Sequence, residues 1–296
     1  MILLGCYKVE RGRKPLLFSV IFLNGGSMSI LFSGDFHAGV CGELHGIIKK
    51  SIKQNYGTKL FNDIRYHIIL GDGGFMWLDN HKTDDFNYKV LACRPFPVLC
   101  IIGNHEPILG MNNIPETDIG IGETVYQIHD KPLVAYLKRG KVYTIDGFKM
   151  LVLGGALSID KNRRTPGKSW WKEEYWSEQE KQDVLKLLET ENAFDFVLSH
   201  TGPHTINQTL FYSGDFDPQK YRDEVAFLND RIRKLIIFKK WLCGHWHQDT
   251  YYTDAQTGQE FYYLYRTTKI LEKKDGCIIV HKENGHTQPS HSFQRQ

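Results

Sequence analysis

The chain has 296 residues, of which 41% are hydrophobic and 24% charged, and a formal net charge of +3. That length can bury a substantial core in one large or two small domains, and the composition is that of an ordinary soluble globular protein. So small a charge gives no case for a nucleic-acid or membrane surface, and the longest nearly uninterrupted apolar stretch, around Leu16 to Leu23, falls far short of the ~20 residues that span a bilayer.

The six cysteines are scattered and form no C-x-x-C pair. Cys100 and Cys243 lie in apolar runs and read as buried small hydrophobes. A reducing, cytoplasmic setting is therefore expected, not a disulfide framework.

Residues 1–27 read as a leader. Arg11, Arg13 and Lys14 before the Leu16–Leu23 run give it a faint secretory look, but Asn24-Gly25-Gly26-Ser27 makes a poor cleavage site. The preferred reading is that Met28 is the true start. Beyond it, Ser29 to Ser33 is an apolar run ending in Gly34-Asp35. Leu44, Ile47, Ile48 and Ile52 then recur at helical spacing, with Lys49, Lys50 and Lys53 on the other face. Further runs follow: His67 to Leu70 before Gly71-Asp72, Val98 to Ile102 before Gly103-Asn104, and Met150 to Leu153 before Gly154-Gly155.

Ser177-Glu178-Gln179-Glu180 is a capping box opening a helix through Val184, Leu185 and Leu188. Phe194 to Leu198 ends at Ser199-His200, and Leu235 to Cys243 at Gly244-His245. Phe261 to Tyr265 and Cys277 to Val280 read as later strands. The polar residues 286–296 read as a disordered tail, which leaves 28–285 as the functional domain.

Buried-looking strands thus end repeatedly in glycine or serine followed by Asp, Asn or His. In layered α/β folds ligands bind at the carboxyl ends of strands, and glycine lets the backbone turn sharply there. Five clusters result: Asp35-Phe36-His37, Gly71-Asp72, Gly103-Asn104-His105-Glu106, Ser199-His200-Thr201-Gly202-Pro203 and Gly244-His245-Trp246-His247. Alternation along an extended backbone would put Asp35 with His37, and His245 with His247, on one side. Carboxylate, amide oxygen and imidazole make a mixed O/N set suited to Mn, Fe or Zn.

In that order the clusters resemble the calcineurin-like metallophosphoesterases, whose pattern is D-x-H, G-D, G-N-H-[DE], a lone H, and G-H-x-H. The resemblance runs from Asp35 to His247. It implies an α/β fold, a four-layer α/β/β/α double β-sandwich, with a binuclear site at one sheet edge. It also implies two divalent metal ions, manganese first with iron, zinc or nickel as alternatives. By motif position Asp35, His37 and His247 would hold one ion, Asn104, His200 and His245 the other, and Asp72 would bridge them. A hydroxide shared by ions ~3.5–4 Å apart would attack phosphorus. His105 would protonate the leaving group, a step typically contributing ~10²–10⁴-fold.

The match departs from the phosphoprotein phosphatase branch at the second motif. That branch has G-D-x-x-D-R-G, whereas this chain reads Gly71-Asp72-Gly73-Gly74-Phe75-Met76-Trp77. The acid that orients the histidine and the arginine that grips phosphate are both missing. Replacement cations are sought in Gly154 to Glu174, where Ser158, Asp160, Arg163, Arg164, Trp170 and Trp171 are the residues to examine. Arg163 and Arg164 are the candidate substrate contacts, since a guanidinium fork gives phosphate two hydrogen bonds. His204, just after Pro203, is a third candidate, weighed against a solvated loop histidine. His45, His67, His81, His129, His281, His286 and His291 lack ligand context, and Arg231, Arg233, Lys234, Lys239 and Lys240 read as a solvated face.

The resulting expectation is a hydrolase of a phosphomonoester or phosphodiester, with a small nucleotide or small diester favoured. A nuclease or a phosphoprotein phosphatase of the same family is the alternative, and a non-catalytic metal-site scaffold is the alternative of another class. The expected partner is a phosphate-ester substrate, with no membrane and with oligomeric state open.

Overall fold

Three residues, Ile30, Leu31 and Phe32, show why the molecule is layered: all are buried, and successive strand residues face opposite ways. The computed structural model describes residues 28–35, 37, 41–74, 95–107, 114–130, 133–212, 222–274 and 276–281, with only the backbone described for residue 28 and residues 41–51. The leader (residues 1–27), the Phe75-Met76-Trp77 stretch, the tail and the side chains of Lys49 and Lys50 lie outside the described residues. In β1 (Met28–Ser33), Ile30 and Phe32 enter one hydrophobic cluster and Leu31 another. A strand with two buried faces needs apolar residues throughout, which is why it reads as a continuous run.

The same logic holds for β3 (Val98–Ile101), β6 (Leu133–Leu137) and the carboxyl end of β2 (Ile64–Ile69), whose Arg65 and Tyr66 are only half-buried; all three lie parallel beside β1 in the order β1-β2-β3-β6. Antiparallel strands complete this eight-stranded sheet at both edges: β13 (Lys269–Lys274) and β14 (Cys277–His281) beside β1, β5 (Val125–Asp130) and β4 (Glu116–Thr117) beside β6. A second, six-stranded sheet has β8 (Phe148–Val152), β9 (Ala193–Leu198), β10 (Ile237–Cys243) and β12 (Glu260–Tyr263) parallel at its centre. Antiparallel β7 (Lys141–Ile145) and β11 (Thr250–Thr253) close its edges.

The two sheets face each other across one core. Ile30, Phe32, Ile68, Leu99 and Ile101 of the first meet Phe148, Met150, Phe196, Leu198 and Leu242 of the second. The outer face of the first sheet is covered by α1 (Cys41–Asp63), whose Ile52, Tyr56 and Phe61 pack with Leu31, Val98 and Cys100. Gly57, at φ 87°, breaks that helix in two. The outer face of the second sheet carries α2 (Glu178–Thr190), α3 (His204–Phe211) and α4 (Glu224–Arg233), with Val184, Leu188, Ile206, Val225 and Ile232 packed against Leu151, Val197 and Trp241. The result is the expected four-layer α/β/β/α sandwich. Ser177 opens α2 with the capping box read from the sequence.

Some expectations need revision. The Leu235 run begins as a strand only at Ile237, because Leu235 bonds back to Ile232 at the end of α4. The basic residues read as a solvated face are partly committed to ion pairs: Arg233 with Asp254 at 2.9 Å, Lys239 with Asp195 at 2.8 Å, and Lys240 with Glu260. His67 is structural, buried against the Ser33 hydroxyl at 2.6 Å. Among the described residues no helix is long and apolar enough to cross a membrane.

The Phe196 ring lies 4.7 Å from Phe148 and 5.8 Å from Phe32, so it joins the two sheets. Phe196→Ala is expected to lower unfolding stability by about 3–5 kcal/mol. A shift in the urea midpoint at unchanged slope checks this, and a loss below about 1 kcal/mol would mean that the inter-sheet core is not continuous there.

Candidate metal centre

Parallel strands in register deliver their carboxyl ends to one edge. β1 delivers Asp35 and His37, β2 Asp72, and β3 Asn104 and His105, while β9 delivers His200 and β10 His245 and His247. The first five come from one sheet and the last three from the other. Residues far apart in the chain therefore meet where the two edges adjoin.

The local backbone is not extended, as the alternation argument assumed. Asp35, His37, Asp72, His245 and His247 all have positive φ, between 40° and 70°. Among described non-glycine residues only Asp146 shares that feature. Each such residue is held in a sparsely populated conformation costing of order 1–3 kcal/mol, which persists only where surroundings enforce it. Left-handed turns, not strand alternation, aim these side chains. The glycines need a second correction: Gly71 does turn at φ 84°, but Gly103 has no positive φ. It is glycine because a Cβ there would run into the Asp72 carboxylate and backbone nitrogen.

The ligand atoms converge in overlapping sets. Asp35, His37 and His247 bring theirs within 4.8 Å of one another, as do His37, Asp72 and His105, and Asp35, Asp72 and His200. His37 Nε2 and His247 Nε2 are 2.9 Å apart, and each is 3.9 Å from Asp35 Oδ1. His200 Nε2 lies 3.2 Å from Asp72 Oδ2 and 3.0 Å from Asn104 Oδ1, while its Nδ1 bonds the Leu70 carbonyl at 2.7 Å. The His245 ring centroid is 5.1 Å from that of His200. Asp72 thus faces histidines from both sheets.

This arrangement fits divalent metal ions on its own geometry. The Asp35 side chain is fully buried, and neither carboxylate oxygen has a hydrogen-bond partner of ordinary geometry. An ionised carboxylate so placed calls for a cation. Nδ1 of His200 is tied to a carbonyl, leaving Nε2 directed into the site, a common tautomer-fixing device for metal-binding histidine.

Burial pushes the Asp35 carboxyl up to about 7 against the pull of His200. Burial likewise works to raise Asp72, but His200, His105 and His37 outweigh it and hold that carboxyl well below its ordinary value. His200 is the reciprocal case: burial opposes its charge, yet Asp72 and Asp35 raise it to about 10. Burial brings His37 down to about 4, and burial with His200 keeps His245 well below the usual imidazole value. Glu106, 5% exposed, accepts hydrogen bonds from the backbone nitrogens of Gly103 (2.7 Å) and Asp72 (3.1 Å), and burial raises it to about 8. It ties the second motif loop to the third. The motif string contains it, but only the fold reveals that use.

His105 sits beside Asp72, with its backbone N–H on Asp72 Oδ1 at 3.0 Å and its Nε2 3.7 Å from Asp72 Oδ2. Burial lowers its pKa; Asp72 and Asp160 oppose that, while Arg164 and His200 reinforce it. Arg164 bonds Asp160 Oδ1 at 2.7 Å and the Ser169 carbonyl at 3.2 Å. Arg163 is exposed on a 3₁₀ turn. Trp171 is buried, and Trp170 partly so. His204 is not on a loop: it begins α3 and stacks on Phe227 at 4.0 Å.

A family profile described as calcineurin-like phosphoesterase matches residues 28–249. A search of curated proteins gave no match. One solved crystal structure is similar with 11% identity and a TM-score of 0.50, over 86% of this chain and 99% of that one. Also similar are the phosphopantetheinyl hydrolase of Mycobacterium tuberculosis (12% identity, TM-score 0.43, 82% of this chain and 91% of that chain) and a 5'-nucleotidase precursor from Thermus thermophilus (13%, 0.37, 87% and 54%). The chain spans about half the length of the latter.

In the metal-free protein, raised pKa values fix the sign of a pH effect. Asp35 (about 7), Glu106 (about 8) and His200 (about 10) hold their protons more tightly folded than unfolded. Their stabilisation is complete below the unfolded values of 3.8, 4.5 and 6.5, and is lost as pH rises through 7 to 10. The opposite contributions of His37 and His245 are complete by pH 6.5. The Tm of chelator-treated protein is therefore expected to fall between pH 6.5 and 10. A Tm that climbs across that window would refute this account of the buried charges.

Proposed function

The chain belongs to the calcineurin-like phosphoesterases, metal-dependent hydrolases of phosphoric esters, and on that footing we propose that it cleaves a small phosphomonoester or phosphodiester, a nucleotide or small diester being favoured. The observation that carries this reading is the meeting of a carboxylate, an amide oxygen and imidazoles from both sheets around Asp72. We assign Asp35, His37 and His247 to one divalent ion, Asn104, His200 and His245 to the other, and Asp72 to both. Manganese is the preferred metal, with iron, zinc or nickel compatible with the same donors. When bound, such a pair supplies a hydroxide near neutral pH and neutralises charge on the phosphoryl group.

The chain's own residues supply the rest. Asp72 can serve two ions because each carboxylate oxygen can accept one. The His105 main-chain N–H fixes Asp72 Oδ1, so the carboxylate cannot swing away from the site. The His105 imidazole is the group suited to protonate a departing alkoxide, being partly buried beside Asp72 at the edge of the cluster. Small substrates are favoured because the Gly71-Asp72-Gly73-Gly74-Phe75 sequence lacks the protein-phosphatase acid and arginine. The low net charge gives no footprint for a polyanion. Cys100 and Cys243, buried free thiols, support a reducing, cytoplasmic setting.

Manganese-loaded protein is expected to hydrolyse p-nitrophenyl phosphate or bis-p-nitrophenyl phosphate, and Asp72→Asn to abolish this. The preferred compound identifies a monoesterase or a diesterase. No turnover of either, with two ions bound, would favour the scaffold reading. For His105→Ala, kcat on an alkyl ester is expected to fall ~10²–10⁴-fold, with a smaller loss on the nitrophenyl ester, whose leaving group departs without help. Equal losses on both esters would remove His105 from the role of acid.

A further inference from the structure

Asn104 is useful to a cation only if its amide presents oxygen, because the NH₂ end can only donate. The two ends have nearly the same shape, so the surrounding hydrogen bonds must decide between them. At the Nδ2 end lie His105 Nε2 at 3.2 Å and, closer, the Ser158 hydroxyl at 2.9 Å; Ser158 is in turn held by Glu174, the two being 2% and 3% exposed on the segment that follows β8. The Ser158 hydroxyl donates to Glu174 Oε2 at 2.5 Å, and the Ser158 backbone N–H donates to Glu174 Oε1 at 3.2 Å. With its one proton given to the carboxylate, the Ser158 oxygen can only accept. It does so from Asn104 Nδ2 at 2.9 Å, which leaves Asn104 Oδ1 turned toward His200 Nε2 at 3.0 Å.

Glu174 is itself fixed from the helical layer. Arg139 donates to the carbonyls on either side of it, Glu173 at 2.8 Å and Tyr175 at 2.9 Å. The same guanidinium grips both carboxylate oxygens of Glu180 at 2.8 Å, and Glu180 closes the capping box of α2. Gly155 leaves no room for a side chain, since a Cβ there would strike the Glu174 carbonyl, and Trp176 Nε1 ties the Gly154 carbonyl at 2.7 Å. An unbroken chain of contacts thus runs from α2 to the amide of Asn104.

Resting on the reading of Asn104 as a metal ligand, we propose that Ser158 and Glu174 are positioning residues that lock the Asn104 amide with its oxygen toward the metal pair. This gives the Gly154–Glu174 segment a role in metal affinity, carried by residues that need not touch substrate. Supporting groups of this kind typically contribute ~10–100-fold to metal affinity or activity.

The test is calorimetric titration of the metal-free full chain with manganese alone. Ser158→Ala is expected to weaken one of the two sites ~10–100-fold while sparing the other. Glu174→Gln, nearly isosteric, is expected to do the same, because its NH₂ can donate to Ser158 and free that hydroxyl to donate to Asn104 Oδ1. The decisive background is Asn104→Asp, whose two equivalent oxygens need no orienting: there Ser158→Ala should produce no further weakening. An equal loss in the Asn104→Asp background would reduce Ser158 to ordinary packing and overturn the proposal, as would wild-type titration curves for both single variants. If the wild-type chain takes up no manganese pair at all, the ligand reading of Asn104 fails first and the relay with it. Thermal unfolding of each metal-free variant confirms that the comparison is between folded proteins.

Discussion

Burying one carboxylate, that of Asp72, would cost several kcal/mol if nothing compensated its charge. At 2% exposure it has little water to help it. Compensation comes chiefly from His200 on the second sheet, 3.2 Å from Asp72 Oδ2, with His37 and His105 of the first sheet within 3.9 Å of the same oxygen. The position of Asp72 thus requires both sheet edges to be present at once.

The loops that achieve this are crowded as well as charged. Gly71 turns under the His200 ring, and Gly103 lies against Asp72 itself. Glu106 then bonds the backbone of both loops from below. Asp72, one of the five candidate site residues at positive φ, is held in place by that scaffolding. A local conformation that the chain would avoid in isolation is imposed here by hydrogen bonds to neighbours that themselves belong to other strands.

The helical layer over the second sheet is not a passive cover. The outer layer over the second sheet reaches the site through Glu180, Arg139, Glu174 and Ser158. The Asp160–Arg164 pair on the same segment acts electrostatically on His105. The acid and arginine that mark the second motif of the phosphoprotein phosphatase branch are both absent at that position here. Charged residues near His105 are instead supplied by a loop that enters from the other sheet.

Much of this was legible before folding was considered. The carboxyl-terminal halves of central strands β1, β2, β3, β9 and β10 are buried on both faces, so burial demands apolar residues there, and the polar residues that follow them stand out. The Ser177–Glu180 box was legible for a local reason: capping depends on residues three apart. Edge strands such as β5 and β11 went unread, because Val-Tyr-Gln-Ile-His-Asp and Thr-Tyr-Tyr-Thr mix buried and exposed positions without a clean period. α3 and α4 went unread as well, their short amphipathic runs lying between motif residues. Nothing in the local sequence around Arg139 and Glu174 marks either charge as buried. Only the fold decided that both are buried, since the partners of Arg139 lie 34 to 41 residues away and Ser158 lies 16 from Glu174. The sequence by itself determined which residue types end the strands, and hence the chemistry available at the edge. Tertiary structure alone decided how they are aimed, because the left-handed turns and the Asn104 amide take their orientation from contacts that no local stretch of chain contains.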